Sequence, residues 1–217
     1  MMRKVNETAV LGGSFNPIHN GHIELAISAV DQFDIQKLLI MPVAGTYYKN
    51  EDMLAPASDR LNMVNIAIGS TKDPYRDILK ASSLDIDRGG TTYTYDTINE
   101  LSEVYDRIYF IIGMDSLMYI HKWIRADEFL PKCILLVADR EGEYETDTDK
   151  QISFLEERYG ANIYRLKTKP HPYSSGMIRQ MLQNGEDVSG FLPAGVYDYI
   201  RKQGLYTTGK GDKPYGS

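Results

Sequence analysis

The sequence predicts an α/β protein built on a doubly wound, mainly parallel sheet, with a small helical piece at its C-terminus. Three observations lead there. Apolar runs of strand length recur along the chain, at Thr8–Leu11, Lys37–Pro42, Arg107–Gly113 and Cys133–Ala138, without the polar alternation of a half-solvated sheet. Between them lie segments whose apolar residues fall at three-and-four spacing, as on helices with one buried face. The first run also leads through a glycine-rich turn directly into such a helix. Strands alternating with helices in this way imply right-handed crossovers and parallel pairing.

Taken in order, Thr8–Leu11 is the first strand, and Ile23, Ala26, Ile27, Val30 and Phe33 mark the buried face of the first helix. Lys37–Pro42 is a second strand ended by proline, followed by a loop from Val43 to Ala55 that holds Lys49. A helix over Ala57–Ile68 places Leu61, Val64 and Ile68 together, with Ser58 as its expected cap. Leu79–Ile86 is expected to be a strand, and Arg88-Gly89-Gly90 a turn. Thr94 or Asp96 is placed to cap a helix carrying Ile98, Leu101 and Tyr105. The strands Arg107–Gly113 and Cys133–Ala138, a helix over Asp147–Tyr159 and a short strand at Ile163–Leu166 complete the alternation. The closing piece starts a helix at Pro193, groups Val196, Tyr199 and Ile200, and stops at Gly204. One domain is therefore expected over residues 1–207, with 208–217 a loose tail.

Composition narrows the class. With 42% hydrophobic and 25% charged residues in 217, the chain can bury an ordinary core, and it is not a disordered sequence. Net charge is −6 and basic residues form no dense run, which argues against a nucleic-acid surface. The one cysteine, Cys133, lies in an apolar run and reads as a buried strand residue. Neither a signal-peptide pattern nor an apolar run near eighteen residues is visible, so a cytoplasmic protein with no membrane partner is expected. Oligomeric state is not legible.

Ligands on such sheets bind beyond the carboxyl ends of the strands. That edge collects Gly12 to His22, Pro42 to Lys49, Gly113 to Trp123 and the loop after Ala138. The stretch Gly12-Gly13-Ser14-Phe15-Asn16-Pro17-Ile18-His19-Asn20-Gly21-His22 has the properties of an anion site. Gly12 and Gly13 carry no Cβ to hold a phosphate away from the backbone, the helix start offers unpaired N–H groups, and His19 and His22 flank the opening. A second opening of this kind is Tyr173-Ser174-Ser175-Gly176-Met177-Ile178-Arg179. There serine hydroxyls join a helix start, and Arg179, one turn in, can hold two oxygens of a polyphosphate. A zinc pair at His19 and His22 lacks a third ligand at convincing spacing, and no metal site is expected. Arg60 and Arg88 read most simply as solvated.

These strings resemble a known family. The Gly12–His22 stretch is similar to the signature of nucleotidyltransferases with a His-x-Gly-His element after the first strand, and Ser174-Ser175-Gly176 … Arg179 resembles their late Ser-Ser-Thr-x-x-Arg element, with Gly176 in place of threonine. Gly90–Thr97, Ile111–Leu117 with Trp123, and Leu192–Tyr206 resemble segments of nicotinate mononucleotide adenylyltransferases. The resemblance runs in order from Ala9 to Tyr206 and implies a Rossmann-like nucleotidyltransferase fold. It implies adenylyl transfer from ATP to nicotinate mononucleotide, giving deamido-NAD and pyrophosphate. His19, His22 and Arg179 would be catalytic. Gly12, Gly13, Ser14, Phe15, Gly21, Gly113, Asp115, Ser174 and Ser175 would bind ATP, with Asp115 by the ribose. Thr92, Tyr93, Thr94 and Trp123 would receive the nicotinate moiety, with Trp123 as the stacking platform, and Lys49 its phosphate. The family's Pro-His-Lys loop is altered here to Thr46-Tyr47-Tyr48-Lys49, and Asn16 replaces the aspartate of most relatives.

Such chemistry needs no nucleophilic side chain. A phosphate monoester has a second pKa near ~6 and is already mostly a dianion at neutral pH. It can attack the α-phosphorus of ATP directly, leaving the protein to align two anions and neutralise the charge that develops. Magnesium would arrive on the ATP phosphates, keeping most of its waters. Alternatives are the same transfer to nicotinamide mononucleotide or another phosphomonoester, and a nucleotide-binding regulator without catalysis. A catalytic fragment of a class I aminoacyl-tRNA synthetase shares the histidine element, but this chain has no lysine-rich signature loop or tRNA-binding extension.

Overall fold

Residue parity along the strands assigns the core to two faces. In the computed structural model, which describes residues 5–45, 54–140, 145–169 and 171–207, Ala9 and Leu11 of the strand β1 (Glu7–Gly13) join one apolar cluster and Val10 the other. β2 (Leu38–Pro42) divides the same way, Leu38 and Ile40 against Leu39 and Met41. A strand buried on both faces has no polar side, which is why these runs are continuously apolar. β3 (Leu79–Ala81), β4 (Arg107–Gly113), β5 (Ile134–Arg140) and β6 (Asn162–Thr168) complete one sheet in the order β3-β2-β1-β4-β5-β6. Every pairing among the described residues is parallel, in line with the mainly parallel expectation.

Helices cover both faces. Against the first cluster lie α1 (Asn20–Phe33), α2 (Ala57–Gly69), α9 (Ser175–Gln183) and α10 (Val196–Gln203). Against the second lie α5 (Thr94–Ser102), α6 (Met114–Tyr119), α7 (Ala126–Phe129) and α8 (Glu145–Tyr159). The short α3 (Tyr75–Ile78) and α4 (Leu84–Arg88) flank β3. The strand order reverses between β1 and β4, and the crevice beyond their carboxyl ends is the switch point at which such sheets bind ligands.

Several local expectations are corrected. The expected strand Leu79–Ile86 stops at Ala81, because Ser82 gives its last ladder hydrogen bond to the Ile40 carbonyl and Ser83 opens α4. Ser58 lies inside α2, whose N-cap is Pro56. Tyr93 precedes α5 and its carbonyl takes the Asp96 and Thr97 N–H groups, so neither Thr94 nor Asp96 is the cap, and Tyr105 lies past the helix end. Pro193 precedes a turn, and α10 starts three residues on, after Gly195 at φ 84°. Gly204 ends that helix in the left-handed region, as expected. Cys133 is buried, and desolvation pushes its thiol up to about 12. The expected tail 208–217, the Lys49 loop and the loop after Arg140 lie outside the described residues.

Candidate active site

The turn from β1 into α1 is shaped by its glycines. A Cβ on Gly13 would lie 3.1–3.4 Å from the Phe15 ring, so the folded-back ring, at φ 44°, requires glycine there. Gly12 is exposed, and a Cβ there would meet only Phe110, at 3.8 Å. The His19 backbone, extended at φ −139°, caps α1, and its N–H donates to His22 Nδ1 at 3.2 Å. An N–H can only donate, so His22 Nδ1 is unprotonated and the ring's proton sits on Nε2. The two imidazoles stack, with centroids 3.7 Å apart and planes 20° from parallel. His19 is 8% exposed, with the Tyr173 ring edge-on to it and Nδ1 buried without a partner. Burial, and secondarily the electrostatic influence of the neighbouring His171, lower its pKa to about 4. His19 is therefore a neutral donor at neutral pH in the unliganded protein.

The start of α9 is tied to this same corner. Ser174 caps the helix by accepting from the Met177 N–H at 3.3 Å, and Ser175 Oγ donates to the Pro17 carbonyl at 2.9 Å. Arg179 Nη1 donates to the Asn16 carbonyl at 2.7 Å, and its Nε is buried with no partner. Thus His19, His22, Ser174, Ser175 and Arg179 surround one bend of backbone, although the two helices are far apart in sequence. Gly176 leaves room for a side chain: the nearest atom to an added Cβ is Ser174 Oγ, at 3.7 Å.

His171, Arg60 and Tyr206 also reach this corner, and the sequence assigned none of them to it. His171 lies over Gly21, where a Cβ would meet its Cδ2 at 2.9 Å, and its Nε2 is 3.2 Å from a Glu24 carboxylate oxygen. Its placement between Pro170 and Pro172, just ahead of Ser174, is the only sequence hint. Arg60 is not solvated but wholly buried, and its guanidinium donates to the carbonyls of Ala55, Ser14 and Ala44 at 2.9, 3.0 and 3.0 Å. Burial pulls its pKa below the ordinary arginine range, and the Tyr206 hydroxyl partly offsets this. Asn16 Oδ1 accepts from the Ala55 N–H at 3.0 Å and the Tyr206 hydroxyl at 2.7 Å, so the end of the chain reaches back to the first turn.

The other expected residues line the carboxyl edges of β2 and β4. Thr92 Oγ1 accepts from the Ala44 N–H at 3.0 Å, and Gly45 bridges to Thr91, which sets the Thr92–Thr94 stretch beside the loop that follows β2. Arg88 is part-buried and paired rather than simply solvated. It pairs with Asp85 at 2.9 Å and Glu100 at 2.6 Å, while Thr97 Oγ1 donates to Asp85 at 2.6 Å. Asp85 is 3% exposed; burial raises its pKa, and Thr97 and then Arg88 work against the rise. Gly113 precedes α6, Asp115 lies exposed in its first turn, and Trp123 packs part-buried against the second cluster, tilted on Phe129. Asp115, Ser116, Tyr119, Lys122 and Trp123 line one groove of about 380 Å³. Among the described residues no three His, Cys, Asp or Glu side chains converge on a possible metal position.

The cytidylyltransferase-like family model matches residues 10–181. A probable nicotinate-nucleotide adenylyltransferase of Dehalococcoides mccartyi is 35% identical over 204 residues, covering 92% of this chain and 97% of that protein. One from Clostridium acetobutylicum is 33% identical, covering 93% of this chain and 100% of its own length. Among solved structures, Plasmodium falciparum nicotinic acid mononucleotide adenylyltransferase complexed with NaAD superposes with a TM-score of 0.74, over 93% of this chain and 97% of that one. At 20% identity the last likeness speaks to the fold.

Proposed function

The chain belongs to the nicotinate-nucleotide adenylyltransferases of the cytidylyltransferase-like family, and on that premise we propose that it joins ATP to nicotinate mononucleotide, releasing pyrophosphate and deamido-NAD. The observation that carries the reading is the corner itself. Two stacked imidazoles, two serines and a guanidinium gather at two helix starts, and His19 Nδ1 and Arg179 Nε lie buried with no partner. Buried polar nitrogens without partners are costly, and phosphate oxygens would satisfy them.

The acceptor's phosphate oxygen attacks the α-phosphorus; the new O–P bond forms as the bond to the β-phosphate bridging oxygen breaks, and that electron pair leaves on pyrophosphate. His22, with its proton on Nε2, and neutral His19 donate hydrogen bonds to the oxygens on which charge grows. Arg179 and the α9 start, with Ser174 and Ser175, hold the leaving pyrophosphate. The backbone of Gly12, Gly13, Ser14, Phe15 and Gly21 lets the triphosphate approach. Gly113 and Asp115 lie by the adenosine, Trp123 stacks on the nicotinate ring, Thr92–Thr94 meets its carboxylate, and Lys49 takes the acceptor phosphate. Magnesium, carried on the ATP phosphates, would supply further neutralisation of phosphate charge. The reaction is one of NAD synthesis, placed in the cytoplasm, with residues 1–207 forming the catalytic unit. No helix among the described residues is long and apolar enough to cross a membrane.

Chromatography of a mixture with ATP, magnesium and nicotinate mononucleotide tests this, with nicotinamide mononucleotide in a parallel arm. Deamido-NAD should form at least about tenfold more efficiently than NAD, a ratio that a polar site built for one substituent can reach. No dinucleotide in either arm overturns adenylyl transfer, and equal efficiency overturns the acceptor.

A further inference from the structure

We infer that Arg60 is a positioning residue that couples the triphosphate corner to the acceptor edge, holding the two half-sites at the spacing the displacement needs. The inference rests on the adenylyl-transfer reading above. Arg60 extends from α2 with no accessible surface, and among the described residues no carboxylate pairs with it. Its charge is met by three backbone carbonyls from three segments. Nη1 takes that of Ser14, just past the two glycines of the corner, and Nη2 that of Ala44, just past β2. Nε takes that of Ala55, whose N–H is in turn held by Asn16 Oδ1.

The Ala44 peptide is the link. Its carbonyl accepts from Arg60 at 3.0 Å while its N–H donates to Thr92 Oγ1 at 3.0 Å, and Gly45 beside it bridges to Thr91. The path Ser14–Arg60–Ala44–Thr92 is therefore continuous, from the turn beside the imidazoles to the stretch that receives the acceptor. A planar fork is suited to this, since its N–H groups diverge in fixed directions. An ammonium carries its donors on one atom and cannot reach three separated carbonyls. Without the fork, three carbonyl oxygens would face one another in a buried space, and the segments would part.

In-line attack tolerates little misplacement, on the order of 1 Å for a hundredfold loss, whereas binding of either substrate alone does not depend on the spacing between them. Arg60→Lys and Arg60→Met should therefore lower kcat, at saturating ATP and nicotinate mononucleotide, by roughly 30- to 300-fold. The Kd of α,β-methylene ATP and that of nicotinate mononucleotide, each titrated alone, should stay within about threefold. Rates are taken per folded molecule, so a purely structural arginine would lower thermal stability and leave kcat intact. A kcat within threefold of wild type, or a rise in either Kd that accounts for the loss, overturns the inference. If neither variant folds, the wild type carries the test: α,β-methylene ATP alone should slow amide exchange at Ala44 fivefold or more, and unchanged exchange there overturns the coupling. A wild-type chain that makes no dinucleotide overturns the functional reading and this inference with it, whereas an active wild type with an unaffected Arg60→Lys overturns the inference alone.

Discussion

Alanine at Gly21 separates what stabilises α1 from what aligns its histidines. Gly21 is the second residue of that helix, and alanine should favour the helix by roughly 0.5–1 kcal/mol. Its Cβ, however, would lie 2.9 Å from His171 Cδ2, 3.1 Å from His171 Cγ and 3.2 Å from His19 Cε1. Carbon atoms rest at about 3.5–4.0 Å, so the rings must yield by roughly half an ångström. His171 lies in a loop and can swing away from Glu24, a half-exposed partner worth little. His19 has less freedom, because it is packed against His22 on one face and Tyr173 at its edge. Overpacking of this sort costs about 1–3 kcal/mol, which the helix gain partly offsets. The net change should stay within ~2 kcal/mol, or a fall in Tm of at most about 8 °C for a chain of this size. The catalytic cost should be larger, roughly 10- to 100-fold in kcat, because the displaced group is an imidazole of the proposed phosphate site. Pyrophosphate release gives kcat, and a thermal melt gives Tm. Adding His171→Ala, which removes the two shortest contacts, should restore part of the rate. A Gly21→Ala enzyme with kcat within twofold of wild type would refute the placement of His19.

Three other perturbations follow from the geometry. His19 is held neutral with a pKa of about 4 against 6.5 when unfolded, so the unfolded chain binds the extra proton between those values. The stability it contributes is full above pH 6.5 and is lost as pH falls, by about 3 kcal/mol at pH 4; urea midpoints of wild type and His19→Gln should therefore diverge in slope over that window, and parallel curves would contradict the assignment. Gly176→Thr fits the open space beside Ser174 Oγ and should add a few tenths of a kcal/mol from helix propensity while lowering KM for ATP; a raised KM would show that the added hydroxyl does not serve the phosphates. Asp85→Ala leaves Thr97 and one arm of Arg88 without their buried acceptor, so it should cost roughly 2–3 kcal/mol by urea denaturation and raise KM for the mononucleotide. A loss under 0.5 kcal/mol would make that network dispensable.

Much of the fold was legible because it is written in local periodicity. Strands buried on both faces must be continuously apolar, and helices on a sheet must show one apolar stripe, so β1, β2, β4 and β5 stand out as runs and α1 and α2 as patterns. The end of β3 was not legible, since Leu79–Ile86 carries the same residues whether the chain continues or turns; Ser82 and Ser83 decide it through hydrogen bonds to Ile40 and within α4. The strings proposed to hold phosphate could also be read, because glycine, histidine and serine at a helix start have few other uses in that order.

By itself, then, the sequence determined the alternation of strands and helices, the edge of the sheet where a ligand would bind, and the family to which these strings belong. Tertiary structure alone decided the state and the partners of the side chains there. Arg60 and Arg88 look like surface residues in sequence, yet Arg60 is buried because carbonyls from Ser14, Ala44 and Ala55 converge on it from distant segments. His171 and Tyr206 reach a turn some 150 to 190 residues earlier in the chain. His19 is neutral because the packed rings around it exclude water, a property of burial rather than of residue type. Burial and convergence depend on which segments meet, and local spacing does not encode that.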